Sequence, residues 1–395
     1  MDLSNIYNIQ KNYFLRGNTL SVSFRKQQLK KLYEAINRYE DAIVDALKKD
    51  LGKSREESYM SEIGMVKSEI SHMLKHVSSY AKRHYVPSPL AQFVSVSYTK
   101  AVPYGVTLII GTWNYPFMLC LMPLAAAICA GNVVVVKPSN ISPTCSKLIS
   151  KLIRQYLDPT SVWCYSLICR IVQVLGSEMK GDRNTTSALL EQKFDYIFFT
   201  GNHKVGRVIM EKAAKNLTPV TLELGGKNPV FVTKHADLYL AAKRILCCRT
   251  FNGGQQCVSP DYVLVEKDVE EAFYDAVRRV EKECFESAED QIGHIVDQRH
   301  YDTIVDFYEN SENSISEVII GGKNKFKPET LFVPPTVLRM KDLTCPLMTE
   351  ELFSPILPVY AVDSYNDAIA ICNAREKPLS IYIFSDKRSE VEDIT

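Results

Sequence analysis

Between Ala101 and Val136 the chain carries no Lys, Arg, Asp, Glu or His, and lysines stand at either side, Lys100 and Lys137. The stretch exceeds the ~20 apolar residues that a bilayer-spanning helix needs. It is broken, however, by Pro103, Gly105, Gly111, Asn114, Pro116, Pro123, Gly131 and Asn132. A lipid-facing helix interrupted this often would leave backbone groups unpaired in hydrocarbon. Two buried strands, "GVTLIIG" and "NVVVVK", flanking one buried helix satisfy both facts. Strands that are apolar on both faces belong to parallel sheets covered by helices on each side.

The same alternation continues down the chain. "YIFFTG" and "NPVFV" are further apolar runs, and segments 117–130, 143–156 and 203–216 have helical period between them. This predicts a doubly wound α/β domain, in which ligands sit beyond the carboxyl ends of the strands. Ahead of it, residues 22–51 read as an amphipathic helix through Phe24, Leu29, Leu32, Ile36, Tyr39, Ile43 and Leu47. Ile63, Val66, Ile70, Met73, Val77 and Tyr80 mark a second helix, and residues 93–102 alternate like an exposed ribbon. From Glu223 a second alternation ("YVLVE", a helix near 268–285, "PILPVYAV", "LSIYIFS") predicts another α/β unit.

Charge gives no reason to expect nucleic acid or an anionic membrane as partner: 47 basic and 46 acidic side chains leave a net charge of +1. The eleven cysteines are odd in number, and Cys247 and Cys248 are adjacent, which fits a reducing, cytoplasmic setting better than a disulfide framework. His72 and His76 share the i, i+4 spacing of a metal pair but have no third ligand, so they read as a solvated helix face and no metal is expected.

Several residues could carry chemistry. Cys257 lies in "FNGGQQCVSP", behind a glycine pair that would let the backbone turn and approach a substrate. It reads either as a nucleophile or as a structural thiol. Glu223 ends the run "VTLEL", as a general base tuned by partial burial or as a salt-bridged strand end. Asn114 in "GTWNYPF" either donates to an oxyanion or caps the helix beginning near Pro116. Lys137 follows four valines and either snorkels to solvent or meets an anion or a ribose. "FFTGNHKVGR" reads as a strand, a glycine turn and a helix that could present N–H groups to a pyrophosphate.

Taken in order, "GTWNYPF", "VVKPSN", "FFTGN", "LELGGKNP", "GGQQCVSPDY" and "EELFSP" resemble the aldehyde dehydrogenase superfamily, and "NLTPVTLELGGK" its class 3 and fatty aldehyde branch. The resemblance implies a Rossmann-like doubly wound domain over 1–222, with an oligomerisation-type ribbon near 88–102, and a catalytic α/β domain over 223–395. It implies NAD(P)-dependent oxidation of medium- or long-chain aliphatic or aromatic aldehydes to acids through a cysteine thiohemiacetal and thioester. Cys257 would attack, Asn114 and the Cys257 N–H would hold the oxyanion, and Glu223 would activate water. Lys137 would touch the adenosine ribose, Thr200 and Gly201 the pyrophosphate turn, and Val205 the adenosine or phosphates. Gly225, Glu351 and Phe353 complete the cofactor set. A homodimer is implied, with no membrane span in this chain.

The sequence departs from the family pattern in places. Asn140 stands where a glutamate often accepts ribose hydroxyls, so NAD is favoured over NADP only by a lean. Ser354 replaces the glycine of "EEIFGP". The family continues past Thr395 with segments that complete the catalytic domain, and anchored members carry their anchor there. The catalytic domain is thus expected to be incomplete at its C-terminal end, and a catalytically silent binding or structural protein is the competing reading. A cofactor-free thiol acyltransferase or hydrolase would leave Lys137, Thr200 and Gly201 idle. Finally, "TSVWCYSLICRI", residues 160–171, reads as an anomalous insertion of the kind a retained intron leaves, since joining "RQYLDP" to "VQVLGSEMKGD" restores the expected helix–strand connection. Sequencing the transcript tests this: a spliced message lacking these codons is expected, and uniform inclusion contradicts it.

Overall fold

In the computed structural model, which describes residues 3–165, 182–285 and 291–395, the uncharged stretch forms a strand, a helix (Met118–Ala130) and a second strand. The helix is apolar all round, as burial between layers requires, and tolerates Pro123 within it. Contacts divide the chain into two units, Met1–Asp50 with Ser58–Glu223, and Leu51–Glu57 with Leu224–Thr395. Among the described residues no helix is long and apolar enough to cross a membrane.

In the first unit, strands β1 (Arg83–Val86) and β2 (Ser97–Lys100) form an antiparallel hairpin, so the ribbon begins earlier than the alternation over 93–102 suggests. Its turn exposes Leu90, Phe93, Val94 and Val96. Strands β3 (Val106–Ile110), β4 (Val133–Lys137), β5 (Val162–Cys164), β6 (Tyr196–Thr200) and β7 (Val220–Glu223) form a parallel sheet ordered β5-β4-β3-β6-β7. All five residues of β3 and of β4 are buried. The amphipathic run 22–51 forms two helices, Val22–Arg38 and Glu40–Leu51, because Tyr39 leaves helical geometry at φ −106° and ψ 17°. Within "TSVWCYSLICRI", Val162–Cys164 takes the edge-strand place directly after helix Pro143–Tyr156, in register with Val134–Val136. Residues 166–171 of the stretch, and "VQVLG" after it, lie outside the described residues.

The second unit is a six-stranded sheet built from β8 (Pro229–Val232), β9 (Tyr262–Glu266), β10 (Ile315–Ile320), β11 (Thr336–Met340), β12 (Ile356–Val362) and β13 (Tyr382–Phe384). Its order is β10-β11-β12-β9-β8-β13, parallel except for the β10–β11 pair. Successive residues feed opposite cores: Val230, Val232, Val263 and Val265 pack on one side, and Phe231, Tyr262 and Leu264 on the other. Covering both faces explains the unbroken apolar runs, each buried large side chain contributing about 1.5–3 kcal/mol.

One contact in the first unit links its packing to chemistry. Glu62, fully buried, accepts the Phe117 N–H at 2.8 Å and the Met118 N–H at 3.0 Å, which satisfies the amino end of the helix that follows Asn114. Glu62→Ala leaves those two donors buried without their acceptor, and is expected to lower stability by about 1–3 kcal/mol. Urea unfolding measures it, and an unchanged midpoint contradicts it.

Candidate active site

The first unit gathers its candidate residues at one edge of the sheet. β3 has the later β4 and β5 on one side and β6 and β7 on the other, so the chain order reverses between β3 and β6. A crevice beyond the strand ends is the expected place for a ligand at such a reversal. Lys137, Thr200 and Glu223 are the last residues of β4, β6 and β7, and Asn114 lies on the loop that leaves β3. Thr200 pairs with Glu223 in register, Gly111 N–H donates to Lys137 O at 3.0 Å, and Gly201 N–H to Glu223 O at 3.0 Å. These bonds tie the carboxyl ends in two pairs, β3 with β4 and β6 with β7, and the pairing of Ile110 with Phe199 joins the pairs.

Three details of this edge decide between alternatives left open by the sequence. Asn114 is buried at 2% exposure, but Glu62 takes the N–H groups of Phe117 and Met118, so capping that helix is not left to Asn114. Lys137 is buried at 2% exposure and does not snorkel to solvent. Glu223 is exposed, contrary to the partial burial expected of it, because it ends a strand with only one neighbour in the sheet.

The edge also has the features of a nucleotide site. Thr200 Oγ1 is buried with no hydrogen-bond partner among the described residues. A Cβ at Gly201 would stand 2.4 Å from the Phe199 ring, so any side chain there would have to displace that ring. The helix His203–Ala214 begins at Asn202, whose side chain accepts the Val205 N–H at 2.9 Å, and Val205 itself is 37% exposed. An unused hydroxyl, a bare backbone turn and a helix amino end fit a phosphate-bearing cofactor.

The second unit gathers its residues at the opposite kind of edge: Gly225, Cys257 and Glu351 with Phe353 precede the amino ends of β8, β9 and β12. Cys257 is half-buried. The turn before it runs through Asn252, Gly253 and Gly254 at φ 55°, 60° and 74°, a left-handed path that glycine follows at least cost. Gly254 also has no room for a side chain, because a Cβ would fall 2.1 Å from Ser354 O. Both glutamines turn inward to carry the loop. Gln255 Nε2 donates to Asn252 O and His294 O, and Gln256 Nε2 to Cys248 O and Phe251 O, all at 2.7–3.0 Å. Glu57 accepts the Asn252 N–H.

Below this loop lies a charged cluster that sequence reasoning missed. Asp261, 2% exposed, pairs with Arg249 at 2.8 Å and Lys227 at 3.0 Å. Burial pushes the Lys227 amine down to about 8, against the pull of Asp261. The only signal for the cluster is that Lys227 and Asp261 stand inside "GGKNP" and "SPDY"; Arg249 has none. Glu351 lies beside Gly225, where a Cβ would meet its Oε1 at 2.2 Å, and it accepts the Gly226 N–H at 3.2 Å. Burial, and then Asp261, push its carboxyl up to about 7. Phe353 holds the positive φ of this segment, 47°, so Ser354 in the place of a glycine carries no left-handed strain.

Most of the other cysteines are poorly suited to attack. Cys120, Cys129, Cys145, Cys164 and Cys345 are buried. Burial raises the thiols of Cys120, Cys129, Cys248 and Cys372 above the ordinary value, which keeps them protonated. His72 and His76 stack at 4.2 Å on the helix Gly64–Tyr80, with His72 Nε2 3.0 Å from the Tyr80 hydroxyl.

The model of the aldehyde dehydrogenase family matches residues 2–395. The 4,4'-diaponeurosporen-aldehyde dehydrogenase of Staphylococcus aureus is 36% identical over 97% of this chain and 80% of its own length. Aldehyde dehydrogenase family 3 member B2 of Mus musculus is 38% identical over 96% of this chain and 76% of its own. The solved substrate-bound Staphylococcus aureus AldH superposes with a TM-score of 0.92 at 34% identity, covering all of this chain and 82% of that one.

Glu351 gives the site a pH signature. A carboxyl raised from 4.5 to about 7 binds a proton preferentially in the folded state between those values, so its contribution to stability falls as the pH rises through that window. The loss amounts to about 3 kcal/mol. Glu351→Gln is expected to erase it: in urea unfolding at about pH 5 and about pH 8, the variant should gain on the wild type at the higher pH. A pH-independent difference contradicts the assignment.

Proposed function

The chain belongs to the aldehyde dehydrogenase family and oxidises aldehydes to carboxylic acids with a nicotinamide cofactor; from that premise we propose that Cys257 is the nucleophile, Glu223 the base and Asn114 the side-chain oxyanion donor. The Cys257 thiolate adds to the carbonyl carbon and gives a thiohemiacetal oxyanion. The Asn114 amide and the Cys257 N–H carry that charge, and losing one such donor costs about 10²–10³ in rate. When bound, NAD(P) would supply the hydride acceptor that lets the thiohemiacetal carbon reach the thioester level. Glu223 takes a proton from water, the hydroxide adds to the thioester carbon, and the acid leaves as the Cys257 thiolate returns. An exposed carboxylate suits the last step, because it has ready access to water.

The observation that carries this reading is the build of the Cys257 loop: a half-buried thiol behind a left-handed turn, underpinned by the buried charges of Asp261, Arg249 and Lys227. Lys137, Thr200, Gly201 and Val205 would hold the adenosine and pyrophosphate side of the cofactor, Glu351 and Phe353 would hold the nicotinamide ribose side, and Gly225 would complete the set. NAD is the preferred form, although Asn140, in the place of a glutamate, weakens the exclusion of a 2′-phosphate. The substrates are medium- or long-chain or aromatic aldehydes, a class supported by the relative named for 4,4'-diaponeurosporen-aldehyde. The exposed apolar turn of the β1–β2 hairpin supports a homodimer, and the adjacent Cys247 and Cys248 support a reducing, cytoplasmic location.

Reduced-nicotinamide absorbance, followed with a long-chain aldehyde, tests the roles. Cys257→Ala is expected to abolish the signal, and Glu223→Gln to give a burst of about one equivalent followed by a stall at the thioester. Steady turnover in Cys257→Ala removes the nucleophile assignment, and unimpaired turnover in Glu223→Gln removes the base.

A further inference from the structure

Within the second unit, the main chain around Cys257 is held by contacts that none of the roles above uses. Four consecutive carbonyls, those of residues 256–259, are each engaged. Gln256 O accepts the Ser259 N–H at 3.2 Å, closing a turn over the nucleophile. Cys257 O and Ser259 O both accept from Asn228 Nδ2, at 2.8 and 3.0 Å. Val258 O accepts the Tyr382 hydroxyl and, at 3.5 Å, Ser380 Oγ. Asn228 is 1% exposed, and its Oδ1 accepts the Ser380 N–H at 2.9 Å. One buried amide thus uses its NH₂ group and its oxygen to join the nucleophile turn to the segment that enters β13.

We propose that Asn228 is the positioning residue of the nucleophile, with Tyr382 as its second support: together they hold the carbonyls of Cys257, Val258 and Ser259, the far side of the turn whose closing backbone bond runs from Ser259 N–H to Gln256 O. The consequence is geometric. A planar trans peptide sets the Cys257 N–H opposite Gln256 O, so closing the 256–259 turn aims the N–H that serves the oxyanion. The Asn228 contact to Cys257 O fixes the following plane, and the two planes together set the direction of the Cα–Cβ bond that carries the thiol. A reacting group displaced by about 1 Å loses on the order of 10²-fold in rate. Burial pushes the Tyr382 phenol up to about 12, so it remains a hydroxyl donor at working pH.

The chemistry at position 228 calls for an amide. A carboxylate would set negative oxygens against two carbonyls, and an alanine would leave those carbonyls without their side-chain donor. The tie between the entries to β8 and β9 is separate, because Asp261 N–H donates at 2.9 Å to the main-chain oxygen of Asn228. That bond survives any side-chain change at 228, so the substitution acts on the nucleophile turn and on the entry to β13 and leaves the tie between β8 and β9 in place.

The inference rests on Cys257 being the nucleophile, and the test separates the two. Wild type, Cys257→Ala, Asn228→Ala, Asn228→Asp and Tyr382→Phe are compared as full chains. Active sites are counted by mass-mapped iodoacetamide labelling of Cys257. Asn228→Ala and Asn228→Asp are expected to lower kcat per labelled site about 10²-fold, and Tyr382→Phe less steeply, while KM for aldehyde and nucleotide stays within about threefold. A residue that serves stability alone would lower the unfolding midpoint or the number of labelled sites and leave kcat per site intact. Wild-type kcat per site in the Asn228 variants overturns the proposal; should they not fold, wild-type kcat per site in Tyr382→Phe overturns it instead. Turnover in Cys257→Ala would remove the nucleophile assignment itself, whereas an inactive Cys257→Ala beside a fully active Asn228→Ala removes only the positioning role.

Discussion

A single buried carboxylate, Asp261, underlies the loops of the second unit. It pairs with Arg249 and Lys227 and lies 3.3 Å from the Leu352 N–H, so one charge reaches three separate segments. Arg249 extends the connection, donating to Ile356 O at the start of β12 and to Pro260 O behind the Cys257 turn. Charges buried in this way contribute little net stability as a set, yet removing one partner costs about 3–5 kcal/mol because the others are left uncompensated. The cluster therefore acts as a fixed origin. The residues after Cys257 and the Glu351–Phe353 segment keep their places with little regular secondary structure of their own. The same carboxylate adds to the burial that raises Glu351, so the support of the Cys257 loop and the titration of Glu351 share one source.

Backbone meets backbone at the same place. Gly254 passes so close to Ser354 that no side chain fits, and the left-handed conformations of Asn252, Gly253, Gly254 and Phe353 are the cost of that approach. The strain falls on Phe353 and not on Ser354, which is why a serine is accommodated in the family's glycine position.

Much of the scaffold was legible because its signals are local. The charge-free run with its helix-breaking residues specified strand, helix and strand over 106–137, and unbroken valines specified strands covered on both faces. The break at Tyr39 was not legible, since the apolar spacing continues across it. Longer-range choices were hidden for a physical reason: a partner brought in by folding leaves no periodicity behind. Nothing around Glu62 announces that it satisfies N–H groups 55 residues later, and nothing in "ILCCRTF" marks Arg249 as the mate of Asp261. The rule that ligands gather at the carboxyl ends of parallel strands found Asn114, Lys137, Thr200 and Glu223. It could not find the other half of the site residues, because in the second unit they precede the amino ends of β8, β9 and β12. The stretch 160–171 is a case of composition outvoting register: an out-of-place apolar run contains the three residues that complete the first sheet's edge.

The β13 strand is three residues long and, among the described residues, pairs only with β8. Short edge elements open at free energies well below that of global unfolding. Ser380 and Tyr382 tie the Cys257 turn to that element, so under the positioning role proposed for Asn228 and Tyr382 the competence of the thiol would follow a local equilibrium and not the overall stability of the fold. A population of molecules with intact sheets and a detached edge would be folded by every bulk measure and yet chemically idle.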